Sequence, residues 1–166
     1  MNAPETMLDI DIEYRSAATS IPNKNDISHW ASTAYSGNTR GEVAMLIVDE
    51  DEIQSLNHNY RNKNQTTNVL SFSADLPAID GFIHLGDLVL CANIIEREAK
   101  QQEKSLESHW AHMTIHGMLH LQNYDHISDT DAQAMEEIEI ALMASLGFSN
   151  PYLSDHDATT QMTSNS

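Results

Sequence analysis

Residues 109–126 read H-W-A-H-M-T-I-H-G-M-L-H-L-Q-N-Y-D-H and carry five of the nine histidines of the chain. Three of them, His116, His120 and His126, follow the spacing H-x3-H-x5-H. On an α-helix, residues i and i+4 lie one turn apart on one face, so the imidazoles of His116 and His120 can bind a single ion. The stretch therefore predicts a helix that carries two metal ligands.

His126 can join these two histidines only if the helix ends before it. Six more residues of continuous helix would rotate the chain by about 600° and raise it by about 9 Å. Asn123 lies between His120 and His126, and Asn tolerates the left-handed conformation that closes a helix. We therefore expect the chain to turn at Asn123 and to return His126 as a third ligand.

Three neutral imidazoles leave one position of a tetrahedral Zn²⁺ for water, which is typical of a catalytic site. A structural site would need a fourth protein ligand, and Cys91 is the only cysteine. His112, one turn before His116, and Asp125 remain candidates for that position, and a contribution from His109 stays open. Asp125 also suits a hydrogen bond to a ligating imidazole. The expected cofactor is one Zn²⁺ held by three histidines and water, and nickel or another metal stays open as the native ion.

The length of 166 residues predicts one domain, which we place at residues 1–152, followed by a small, polar, disordered tail at residues 153–166. The N-terminus lacks the basic start and apolar core of a secretory signal, and no apolar run is long enough to cross a membrane. A single cysteine agrees with a reducing compartment. These features predict a cytoplasmic protein.

The net charge of −17 argues against a broad nucleic-acid surface. The charge is unevenly distributed, however, because residues 53–74 contain no Asp or Glu and include Arg61 and Lys63. This window is either a local phosphate-binding surface or a neutral polar loop, and the sequence leaves both open.

Apolar periodicity predicts strands near residues 7–14, 42–48, 68–72 and 85–91. Helices are expected near residues 26–35, 49–61 and 93–104, through the histidine stretch, and from Asp129 or Thr130 onward. Asp49 is expected to cap its helix, which should carry Ile53, Leu56 and Tyr60 on one face. The expected fold is α+β, a single domain with a mixed sheet of roughly four strands packed with about five helices.

The metal site is expected at the C-terminal end of a central helix, the one that carries the histidines. Its apolar side chains should pack on the sheet and fix the imidazoles at the sheet edge. These side chains are Leu106, Trp110, Met113 and Leu121. In the last helix, the expected apolar stripe is Met135, Ile138, Leu142 and Leu146.

The histidine spacing is similar to the zinc motif of the metzincin peptidases, H-E-x-x-H-x-x-G-x-x-H. Those peptidases place their general-base Glu directly after the first His, where this chain has Gly117. The group that activates water for peptide hydrolysis is therefore missing, which argues against a peptidase.

The sequence closely resembles the YbeY-type rRNA maturation endoribonucleases. The signature of that family, H-G-x-L-H-L-x-G-Y-D-H, appears at residues 116–126 with Asn123 in place of the usual Gly. Two further family-like stretches are N-x-x-Y-R followed by T-N-V-L-S-F, within residues 57–72, and L-G-D-L-V-L-C at residues 85–91. With N-P-Y at residues 150–152, the resemblance covers about residues 8–152.

The resemblance implies a metal-dependent endoribonuclease that acts on single-stranded RNA, with roles in maturing the 3′ end of 16S rRNA and in ribosome quality control. His116, His120 and His126 match the metal ligands of the family. Arg61 matches its basic residue near the metal, whose expected role is to stabilise charge on the scissile phosphate. The partners it implies are rRNA, a small-subunit ribosomal protein and an Era-type GTPase, with neither DNA nor membrane expected.

A rival interpretation is a non-catalytic ribosome-assembly factor that uses zinc for structure and binds protein partners. The missing general base and the acidic composition favour it. If the chain is a nuclease, the nucleophile is either water or the 2′-hydroxyl of the RNA, and the sequence does not choose between them.

Overall fold

The computed structural model describes residues 7–63, 65–124 and 129–153. These residues form four strands and five helices. In chain order they are β1 (Leu8–Arg15), α1 (Lys24–Ala34), β2 (Arg40–Val48), α2 (Glu50–Arg61), β3 (Val69–Ser73), β4 (Phe82–Cys91), α3 (Ala92–Gln101), α4 (Leu106–Leu121) and α5 (Asp129–Ser145). The predicted α+β class and element numbers are confirmed.

The sheet has the strand order β1-β2-β4-β3. Strand β2 pairs in parallel with β1 and β4, and the edge strand β3 pairs antiparallel with β4. β4 begins at Phe82, earlier than predicted, because Phe82 to His84 continue the pairing with the start of β2. The short strand β3 therefore forms the sheet edge next to the loop that follows α2.

Helix α4 is the central helix of the fold and is buried on nearly all sides. Trp110, Met113 and Leu121 belong to the main hydrophobic core, with Leu106 packed against it, as predicted. At Gly117 the helix lies directly against the sheet, since a Cβ there would be 2.8 Å from Cδ2 of Leu88. A glutamate at this position, as in the peptidases, would collide with the sheet.

Asp49 is the N-cap residue of α2, as predicted, although its carboxylate makes no capping hydrogen bond. It instead accepts hydrogen bonds from the Ser16 hydroxyl and the Ala17 N–H, which follow β1. Tyr60, expected on one face with Ile53 and Leu56, is 69% exposed and contacts the ring of Phe72 in β3.

None of the described helices is long and apolar enough to span a membrane. Residues 154–166, nearly all of the predicted tail, lie outside the described residues, so the boundary at residue 152 stays a prediction.

Candidate metal centre

His116 and His120, two of the three predicted ligands, lie on the last two turns of α4. The helix begins at a Ser105 cap, whose side chain accepts a hydrogen bond from the Ser108 N–H. His116 and His120 share one face, and their Nε2 atoms are 3.1 Å apart. Two nitrogen ligands of one tetrahedral Zn²⁺ lie about 3.3 Å apart, given Zn–N bonds of about 2.05 Å. These imidazoles therefore fit two corners of a zinc site.

The turn that follows α4 has the predicted conformation. Asn123 is left-handed, with φ 73°, and its N–H donates to the His120 carbonyl at 3.0 Å. The helix therefore stops within two residues of Leu121. His126, the predicted third ligand, and Asp125 lie outside the described residues.

A buried carboxylate from α5 lies behind the two histidines. Glu139 is 0% exposed and contacts Nε2 of His112 and, at 3.3 Å, Nδ1 of His116. The hydroxyl of Tyr152 donates to its other oxygen at 2.7 Å. His112, His116 and Glu139 offer ligand atoms within 4.8 Å of one another, so this cluster is a candidate metal site.

The charge state of this cluster follows from its contacts. Burial alone raises the pKa of Glu139, but its hydrogen bonds and electrostatic interactions with His112 and His116 outweigh burial and lower that pKa to about 2. Burial lowers the pKa of His112 by more than the Glu139 carboxylate raises it. At neutral pH the carboxylate is therefore ionised and His112 is a neutral donor. When His116 donates to this carboxylate through Nδ1, the lone pair of its Nε2 is left on the side of His120.

The sequence interpretation missed Glu139 and Tyr152. The predicted stripe of α5 ran through Ile138 and Leu142, whereas the fully buried positions are Met135, Glu139 and Met143. The sequence did contain a signal, because Glu139 lies four residues from Met135 and from Met143 and so shares their helical face. A carboxylate on a buried face needs hydrogen-bonding partners, and these could have been sought among the histidines.

His109, whose contribution was left open, has a separate set of contacts. Its Nε2 lies 2.9 Å from Glu98, which also accepts a hydrogen bond from Asn68 at 3.1 Å. His109 is therefore engaged with α3 and the start of β3, and it is not part of the cluster formed by His112, His116 and Glu139.

Arg61 lines one open cavity of about 850 Å³ together with His116 and His120. Its guanidinium donates to the Ser71 carbonyl and lies 5.1 Å from the centre of the Phe72 ring. Asp75 is the one acidic residue among the described residues that line this cavity. Three of the four predicted site residues therefore share a cleft of low negative charge.

Comparisons with known proteins show which family the chain resembles. The family model described as Endoribonuclease YbeY matches residues 11–147. An endoribonuclease YbeY from Laribacter hongkongensis is 45% identical over 152 residues, which cover 90% of this chain and 92% of the relative. One from Cellvibrio japonicus is 48% identical over 145 residues, which cover 86% and 82%.

Among solved structures, the solution structure of a Thermotoga maritima protein matches 87% of this chain and 99% of its own, with 21% identity and a TM-score of 0.49. The family model and the two relatives span most of the chain, including α4 and its histidines. The chain therefore belongs to the YbeY endoribonuclease family.

Proposed function

We propose that this protein is a zinc-dependent, single-strand-specific endoribonuclease that matures the 3′ end of 16S rRNA and acts in ribosome quality control in the cytoplasm. The observation that carries the proposal is the shared cleft, which is lined by Arg61 and by His116 and His120 with their paired nitrogens. A Lewis-acidic ion and a cation directed at one cleft suit hydrolysis of a phosphodiester.

We place the metal at the Nε2 atoms of His116 and His120, with His126 as third ligand and water as fourth. His112 and Glu139 are in direct contact, which leaves no room for an ion between them. The carboxylate then serves as the hydrogen-bond partner that fixes the ring of His116, an arrangement common for metal-ligating histidines. When bound, the zinc would polarise the phosphate and activate the attacking oxygen.

Arg61 stabilises the negative charge that develops on the scissile phosphate. Its hydrogen bond to the Ser71 carbonyl and its position over the Phe72 ring fix the guanidinium at the cleft. The side chain is therefore already ordered before the reaction begins. A guanidinium has five N–H donors, and the hydrogen bond to the Ser71 carbonyl occupies one of them. Other N–H groups can donate to phosphate oxygens.

The acidic composition supports delivery of the rRNA by partners. With a net charge of −17 and few cations in the cleft, the chain can neutralise few phosphates, so binding to free RNA should be weak and sensitive to salt. A small-subunit ribosomal protein and an Era-type GTPase are the proposed partners that bring the protein to its substrate.

The deciding experiment measures metal content and cleavage of a single-stranded RNA by the wild type and three variants. His120→Ala should lose both zinc and cleavage. Arg61→Ala should retain zinc and cleave about 100-fold more slowly. Arg97→Ala removes an exposed arginine that pairs with Glu50 on α2, and it should behave as the wild type. Duplex RNA should resist cleavage.

If a chelator and Arg61→Ala both leave the cleavage unchanged, the nuclease is a contaminant and the assembly-factor interpretation is correct. The rRNA role is tested in cells that lack the protein, where 16S rRNA should keep an unprocessed 3′ end. The wild type should restore processing and Arg61→Ala should not.

A further inference from the structure

Two exposed tyrosines line the cleft that holds the histidines. Tyr60, at the end of α2, is 69% exposed, and Tyr124, after α4, is 36% exposed. Both border the same cavity as Arg61, His116 and His120. An aromatic ring that stays open to solvent beside a reactive centre has a flat apolar face available for a ligand.

A residue of β3 holds the ring of Tyr60 in place. Its ring packs edge-to-face against Phe72, with 5.7 Å between the centroids and an interplanar angle of 69°. The same Phe72 ring supports the guanidinium of Arg61 at 5.1 Å. One residue of β3 thus fixes the positions of two consecutive side chains, a ring that can stack and a cation that can bind phosphate.

The surroundings of Tyr60 suit a nucleic acid better than an apolar protein partner. Polar side chains around it include Asn57, Lys63 and Gln65, which also border the cavity. Residues 53–74 contain no acid, so the negative backbone of a nucleic acid meets no like charge from this stretch. Aromatic rings beside cations are the usual means of binding single strands, in which every base offers a flat face.

We infer that Tyr60 is the stacking platform for a nucleobase of the single-stranded RNA whose scissile phosphate is bound at Arg61. The inference rests on the proposed function and adds a residue that positions the substrate. It also supplies a physical reason for single-strand preference. A base in a duplex is stacked on both sides and cannot also cover Tyr60, whereas an unpaired base can turn outward onto the ring.

The test uses the metal-loaded protein and a single-stranded 2′-O-methyl RNA that carries 2-aminopurine, a base whose fluorescence falls on stacking. Tyr60→Ala should bind this probe about tenfold more weakly and lose the fluorescence quenching. Tyr60→Phe keeps the aromatic ring, so it should keep both the affinity for the probe and the fluorescence quenching. Tyr14→Ala removes a comparably exposed tyrosine, 45% exposed, on the opposite edge strand β1, and should have no effect.

A second probe with an abasic site in place of 2-aminopurine separates stacking from indirect damage. The wild type and Tyr60→Ala should bind it equally, because the base is gone. Equal binding and quenching of the intact probe by wild type and Tyr60→Ala overturns the inference alone. A loss in Tyr60→Phe as large as in Tyr60→Ala also overturns it, since the hydroxyl would then make the contact. A wild type that neither binds nor cleaves RNA overturns the proposed function and the inference together.

Discussion

The carboxylate of Glu139 lies 3.3 Å from Nδ1 of His116, so a buried acid on α5 sets the orientation of a histidine on α4. The contact links residues 23 positions apart and leaves Nε2 of His116 facing His120. Partners of this kind raise the basicity of a ligand and fix its tautomer, and their loss typically lowers metal affinity about 10–100-fold.

We therefore expect Glu139→Gln to weaken zinc binding about 10–100-fold while the protein stays folded, because the amide preserves the shape of the acid. Competition with a chromogenic chelator measures the affinity. Glu137→Gln is the matched control, since Glu137 is exposed on the same helix, and it should bind zinc as the wild type does. Wild-type affinity in Glu139→Gln would show that the carboxylate does not support the metal.

Tyr152→Phe tests the third contact of the same carboxylate. The hydroxyl donates to Glu139 at 2.7 Å, and burial, together with that hydrogen bond, raises the pKa of Tyr152 above its ordinary value of 10.0. The phenol is therefore protonated at neutral pH and remains a donor. Its removal should lower the free energy of unfolding by about 1–2 kcal/mol.

Denaturant titration measures this loss. Tyr14→Phe is the control, because the hydroxyl of Tyr14 makes only a 3.5 Å contact with the Pro22 carbonyl. We expect its free energy of unfolding to stay within about 0.5 kcal/mol of the wild type. Equal losses in the two variants would mean that the Glu139 contact adds nothing to stability.

The parts of the site that follow local rules could be predicted from the sequence. The spacing of His116 and His120 fixes them on one helical face, and the left-handed preference of Asn is a property of the residue itself. Glu139 could not be predicted, because a carboxylate is buried only when distant partners neutralise it, and periodicity does not reveal those partners. The exposure of Tyr60 could not be predicted for a related reason, since helical periodicity assigns a residue to a face but does not show how much of that face is covered.

The contacts of Glu98 should make the free energy of unfolding depend on pH. Burial raises the pKa of Glu98, but the hydrogen bonds from His109 and Asn68 together lower it by more than burial raises it. The pKa in the folded state therefore lies below the ordinary value of 4.5. The ionised carboxylate therefore stabilises the fold fully above about pH 4.5, and this contribution is lost as the pH falls through the folded-state pKa.

The measurement compares the free energy of unfolding of the wild type and Glu98→Gln across pH 3–7. We expect a difference of about 1–2 kcal/mol near pH 7 that shrinks below about pH 4.5. Glu137→Gln, at an exposed position, should differ little from the wild type at every pH. A Glu98→Gln difference that stays constant down to pH 3 would contradict the assignment.

The close packing at Gly86 connects the pairing of β3 and β4 to the position of Arg61 in the cleft. Gly86 has φ 139°, and a Cβ there would lie 2.1 Å from the carbonyl oxygen of Phe72, the residue that supports Arg61. Gly86→Ala must therefore push β3 away from β4 and move Phe72. Gly81 is the matched control, because its φ of 76° is also positive but nothing lies within 4 Å of an added Cβ.

We expect Gly81→Ala to cost about 1–2 kcal/mol of unfolding free energy from backbone strain alone. Gly86→Ala should cost about 2–5 kcal/mol, since overpacking adds to the strain. Thermal unfolding measures the stability of each variant, and RNA cleavage at a temperature where both variants are folded reports the placement of Arg61. Because β3 carries Phe72, cleavage should fall in Gly86→Ala and be preserved in Gly81→Ala. Equal cleavage by the two variants would show that the position of Phe72 does not control Arg61.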